Sequence, residues 1–110
     1  MINHELRDDL LCQLRNYSLS NKEVEMCGVI ARSGDLLKFF SSKNLSCSPR
    51  RFFELDPRLI VEHEVCYIFH SHPFGSSRPS SFDKINCKRI NIPYLIYSIR
   101  DEDFYVYNGV

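Results

Sequence analysis

The run Val65-Cys-Tyr-Ile-Phe-His-Ser-His72 constrains this chain more than any other stretch. It is apolar without a break up to its histidines, as expected of a central strand covered on both faces, so the fold has to supply layers on either side of a sheet. A strand alternates faces and rises about 3.3 Å per residue, which puts His70 and His72 on one face about 6.6 Å apart at the backbone. Pro73, Gly75 and Pro79 then turn the chain, and Ser80 opens a helix expected over residues 80–90.

The rest of the sequence supplies those layers. Ile2, Leu6, Leu10, Leu14 and Tyr17 form one stripe of a helix over residues 2–17, with Asn3 as its cap. The stretches EMCGVIAR and LLKFFSS read as a hairpin around Ser33-Gly34-Asp35, and RFFEL as a further short strand. Asp56-Pro57 starts a helix through RLIVEHE. Two more strands, YLIYSI and DFYVYN, flank a turn at residues 100–103. The order α-β-β-β-α-β-α-β-β predicts an α/β fold with one mixed sheet and packed helices, in a single domain over residues 1–110. Phe39, Phe40, Phe52, Phe53, Tyr94 and Tyr97 are expected on strand faces and in the core.

Charge excludes some partners. Lys plus Arg and Asp plus Glu both number 14, so no basic field attracts nucleic acid or a membrane surface. The five cysteines, Cys12, Cys27, Cys47, Cys66 and Cys87, are odd in number and show no CxxC spacing, which argues against a disulfide framework or a zinc knuckle. The N-terminal stretch has no apolar signal core, and no window approaches the length of a membrane span. A cytoplasmic location follows as the expectation.

The chemistry gathers at the strand end, where sites collect in open α/β sheets. Asp83 falls one turn into the helix after His72, where its carboxylate can face back at the histidines. Two imidazole nitrogens and one carboxylate oxygen, with a fourth position for water, form a catalytic rather than a closed structural zinc site. Hydrolysis at such a site needs a carboxylate outside the metal shell to move the proton of the attacking water. Glu25, at the entrance of the first apolar strand, is the candidate, with Glu23 its rival. Ser80 is the candidate hydrogen-bond donor to an oxyanion.

These residues resemble a family. H-S-H-P, ten residues from His72 to Asp83, Ser80 three before that aspartate and the upstream E-x-C-G at Glu25 are similar to the JAMM (MPN-plus) zinc metallopeptidases. The resemblance implies a cytidine-deaminase-like JAMM/MPN fold, one zinc ion per chain on His70, His72 and Asp83, Glu25 as general acid/base and Ser80 as oxyanion partner. Within the family, E-x-C-G-V-I, the stretch NLSCSPRRFFELDP and the strand IPYLIY resemble the JAMM domains of phage tail-assembly proteins. Relatives there act on or near ubiquitin-like β-grasp partners, so the implied substrate is a protein or peptide: the tail of such a partner, or a phage tail protein. A cytoplasmic setting in a bacterial or phage-infected cell follows from the same likeness. The tail is expected to lie extended beside the strand carrying His70.

Plainer readings compete. Ser80 and Asp83 also make a capping box, which stabilises a helix start by about 1 kcal/mol. Cys27 is either a nucleophile, paired with His70 or His72, or a buried small hydrophobe. His4 and His63 read as surface residues. A nucleobase deaminase needs H-x-E and P-C-x-x-C, and neither occurs. A non-catalytic binding module in phage tail assembly remains the alternative to the peptidase.

Overall fold

A computed structural model describes residues 5–109. Helix α1 (Asp8–Leu19) is followed by strands β1 (Cys27–Ser33) and β2 (Leu36–Ser42), the short helix α2 (Arg58–Glu62), strand β3 (Glu64–His72), helix α3 (Ser81–Ile90), and strands β4 (Tyr94–Ser98) and β5 (Asp103–Tyr107). The five strands form one mixed sheet in the order β2-β1-β3-β4-β5. β3 and β4 run parallel, and the other neighbours are antiparallel. The α/β class, the mixed sheet and the central place of the HSH strand are as expected from the apolar run.

Alternation along the strands divides the core between two faces. Leu6, Leu10 and Leu14 pack with Ile30, Leu37, Phe69, Leu95 and Tyr97 on the α1 side. On the other side Val29, Ile68, Cys87, Tyr94, Ile96 and Tyr107 gather, with Leu59 and Ile60 of α2 against them. Ile68, His70 and His72 share a face of β3, so the histidines continue the second core layer, the one covered by α3. Gly28 is required by close approach in the hairpin. A Cβ there would collide with the Phe40 carbonyl oxygen and the Phe39 ring.

Five expectations need correction. α1 starts at Asp8, where Asp8 and Asp9 suit the positive end of a helix and Arg7 makes no side-chain cap bond. Ile2, the proposed cap Asn3 and His4 lie outside the described residues. RFFEL forms no ladder strand; its backbone bonds are a turn in which Arg51 and Phe52 N–H donate to the Ser48 carbonyl and one bond from Leu45 N–H to the Glu54 carbonyl, and the Asn44 side chain adds two more links. α2 stops at Glu62 because His63 is already extended, leading into β3, and the His63 ring stacks on Phe40 at 4.1 Å rather than standing free. Asp56 lies one residue outside the α2 cap, Pro57, yet its Oδ1 still accepts the Arg58 N–H at 3.0 Å. Among the described residues no helix is long and apolar enough to cross a membrane.

Candidate metal centre

His70 and His72 reach the centre from the C-terminal end of β3, beside its parallel neighbour β4, and Asp83 reaches it from the first turn of α3. The turn between them is tied down at Ser98, whose hydroxyl donates to the Gly75 carbonyl at 2.7 Å. Ser80 caps α3: its Oγ accepts the Asp83 N–H at 3.1 Å, while its own N–H donates to Asp83 Oδ2 at 3.0 Å. The capping box therefore exists, and the same carboxylate oxygen also faces both histidines.

Three atoms converge. His70 Nε2 and His72 Nε2 are 3.2 Å apart, and Asp83 Oδ2 lies 3.2 Å from the first and 3.0 Å from the second. A four-coordinate cation with bonds of about 2.0–2.1 Å needs neighbouring ligand atoms about 3.3 Å apart, so the three atoms stand close to the spacing of a tetrahedral face. The ring of His72 is oriented for this, because its Nδ1 donates to the Ser76 carbonyl at 2.7 Å and leaves a lone pair on Nε2. All three residues are buried, which is costly for such polar groups unless something compensates them. The donor set fits a metal ion.

The electrostatics follow from burial and crowding. Burial pushes the His70 pKa down, against the pull of Asp83. For His72 burial is outweighed by hydrogen bonds to Asp83 and the Ser76 carbonyl, and its pKa rises. Burial works to raise Asp83 as well, but the two histidines and the Ser80 N–H hold it far below the usual carboxylate range.

Glu25 is 6% exposed, and its Oε1 has no hydrogen-bond partner. Burial, then the Asp83 charge, pushes its pKa up to about 9. Its backbone is held from three directions. Glu25 N–H donates to the Pro49 carbonyl at 2.7 Å, the Glu25 carbonyl accepts from Asn44, and the next residue, Met26, bonds to Ser71 of β3 through both its N–H and its carbonyl. Glu23, the rival, has a side chain 73% exposed that faces Arg50. The structure thus separates the two glutamates, burying one and solvating the other.

Cys27 is fully buried, and burial followed by the nearness of Glu25 pushes its thiol up to about 12. It is the small hydrophobe rather than a nucleophile. Iodoacetamide should therefore modify the exposed Cys12 and Cys47 and spare Cys27 in the folded protein, as peptide mass mapping would read. Labelling of Cys27 at the rate of Cys47 would contradict this.

The sequence did not single out what surrounds His70. Phe53 stacks on its ring at 4.3 Å and 21°, and Tyr94 meets it edge-on at 5.3 Å. Phe53 belongs to the segment read as a strand, and no local pattern marks a contact across the loop. An apolar groove of about 620 Å³ adjoins these rings, lined by Phe52, Phe53 and Leu55 on one side and Phe82 and Ile90 of α3 on the other.

Comparison with known proteins places the fold in a family. A family model described as prokaryotic homologs of the JAB domain matches residues 7–107. The tail tip assembly protein K of Escherichia phage N15 is 35% identical over 83 residues, 72% of this chain, which spans 34% of the phage protein's length. A desampylase of Haloferax volcanii is 27% identical over 111 residues, covering 90% of this chain and 78% of its own. Among solved structures, a protein from Desulfitobacterium hafniense superposes with a TM-score of 0.70 at 24% identity, over 90% of this chain and 77% of that one. A JAB1/MPN domain protein from Archaeoglobus fulgidus does so with 0.65 at 20%, over 91% and 84%. With a family match that takes in every strand and helix together with the HSH strand and the Ser80–Asp83 turn, the chain belongs to the prokaryotic homologs of the JAB domain, a JAMM/MPN-type family.

Proposed function

We propose that the chain is a zinc-dependent peptidase or isopeptidase. The observation that carries this reading is the face of three ligand atoms, His70 Nε2, His72 Nε2 and Asp83 Oδ2, at mutual distances of 3.0–3.2 Å. Zinc bound there supplies an acidified water and a Lewis acid for the scissile carbonyl. The chain's own residues do the rest. Glu25, whose buried Oε1 has no hydrogen-bond partner, takes the proton of the attacking water in its ionised form, which a cation held on His70, His72 and Asp83 would favour, and gives it to the leaving amine. Ser80 Oγ already accepts the Asp83 N–H, so its hydroxyl proton remains available to a developing oxyanion.

The substrate is a protein or peptide with an extended segment at the cleaved bond. Such a segment does not pair with β3, whose two edges are occupied by β1 and β4. The extended stretch at residues 52–56 offers a different edge. Phe52, Glu54 and Asp56 turn their backbone groups to Ser42, Asn44, Leu45 and Ser48. The alternate groups of Phe53 and Leu55 have no backbone partner among the described residues and lie beside the apolar groove. The desampylase likeness supports cleavage at the tail of a ubiquitin-like β-grasp partner, and the likeness to a tail tip assembly protein supports a phage tail protein as substrate. That same phage likeness favours the second reading, a binding module in tail assembly without catalysis.

The zinc content of protein never exposed to chelator, beside the Asp83→Ala variant, tests the proposal. About one zinc per chain, largely lost in the variant, is expected. Folded wild-type protein that carries no zinc and refuses added zinc would overturn the peptidase and leave the binding module.

A further inference from the structure

We propose that Asn44 is a positioning residue that fixes the ring of His70 by holding Phe53 against it, and does so in step with the backbone of Glu25. The inference rests on reading His70 as a metal ligand and Glu25 as the general acid/base.

The two histidines are oriented by different means. His72 is fixed by a hydrogen bond from Nδ1, whereas His70 Nδ1 is buried with no partner. Metal-bound histidines ordinarily use that second nitrogen to set the ring. Here the ring of His70 is set by packing, between Phe53 stacked at 4.3 Å and Tyr94 at its edge. Tyr94 is locked in β4, where it is paired to both Ile68 and Tyr107. Phe53 has no such support, since its segment belongs to no strand.

Asn44 supplies the support. Its Nδ2 donates to the Phe52 carbonyl at 2.9 Å, and its Oδ1 accepts the Glu54 N–H at 3.1 Å. Those are the peptide groups on either side of Phe53, so one carboxamide restrains both backbone torsions of that residue. The second Nδ2 hydrogen goes to the Glu25 carbonyl at 2.9 Å, and Oδ1 also accepts the Ser46 N–H at 3.0 Å. Two donors and two acceptors are all that an asparagine side chain has, and every one is used. No other residue type of that size offers both. Aspartate lacks the donors, and serine cannot span the two strands of chain.

The test uses cobalt(II) as the probe, read by its visible d–d absorption and by titration, with thermal unfolding of the metal-free protein as a separate readout. Asn44→Asp keeps the acceptors for Ser46 and Glu54 and loses the donors to Phe52 and Glu25. It should weaken cobalt binding about tenfold, the low end for a residue that supports a ligand from outside the metal shell, and shift the d–d bands. Phe53→Leu keeps all four bonds of Asn44 and removes the ring, so it should shift the bands in the same direction even if Asn44→Asp folds poorly. Because Asn44 acts through Phe53, the double variant should bind cobalt little worse than Phe53→Leu alone. A purely structural asparagine would lower the unfolding temperature and leave affinity and spectrum of the folded protein at wild-type values. That result, or unchanged binding and spectrum in Phe53→Leu, overturns the proposal while the metal site stands. Wild-type protein that takes up no cobalt overturns the site and this inference together.

Discussion

Glu25→Gln is expected to abolish hydrolysis and, in the metal-free protein at pH 8, to raise stability. The loss of a positioned general acid/base costs about 10²- to 10⁴-fold in rate, and the isosteric amide should leave metal content unchanged. The gain in stability comes from burial. Glu25 has its pKa raised from an ordinary 4.5 to about 9, so between those values the folded chain holds a proton that the unfolded chain releases. Stability then falls as pH rises through that window, by about 1.4 kcal/mol per pH unit. Glutamine carries no such dependence. Urea denaturation of both proteins in chelator should show a gap of up to about 5 kcal/mol in favour of the variant at pH 8, which closes towards pH 4. Retained turnover in the folded variant would remove Glu25 from the mechanism, and a gap independent of pH would remove the buried-carboxylate account.

Asp83 should separate under two substitutions, because one oxygen performs two tasks. Asp83→Asn keeps an oxygen for the Ser80 N–H and so keeps the capping box, but replaces an anionic ligand by a neutral amide. Its metal affinity should fall at least 100-fold, beyond the 10–100-fold range seen when only a supporting partner is removed, and the metal-free protein should lose only the attraction between the carboxylate and the two histidines. Asp83→Ala should lose the metal equally and also the box, about 1 kcal/mol of helix stabilisation. Isothermal titration with zinc and urea unfolding in chelator, run on both variants, read the two losses apart. Near wild-type zinc affinity in Asp83→Asn would return Asp83 to a capping role alone.

The parts of this site that can be read in the sequence are those set by local geometry. His70 and His72 share a face because a strand has a period of two, and Asp83 faces them because a helix start follows a short Pro- and Gly-bounded turn. Glu25 was accessible through its place at the entrance of an apolar strand, although its burial depends on the loop at residues 44–49 closing over it. What stayed hidden was non-local. Asn44 sits in a polar stretch that reads as ordinary loop, and its four bonds reach partners up to 19 residues away. RFFEL is a short aromatic run of the kind found in strands, but its aromatic rings pack on His70 and Phe82 while a side chain substitutes for a ladder neighbour. The start of α1 was misplaced for a simpler reason: the apolar stripe says which face is buried, not where the first turn begins.

The double duty of Asp83 also bears on how such a protein changes over generations. A copy of this chain freed from catalysis is under no pressure to keep His70 and His72, whose burial is costly without a metal. Asp83 and Ser80 are different, because they hold the first turn of α3 whatever the site does. Among descendants that only bind, the histidines should drift to apolar residues first, and the Ser-x-x-Asp pair should outlast them. An intact Ser80–Asp83 pair is therefore a mark of the fold, and the histidine pair would be the mark of the peptidase proposed above.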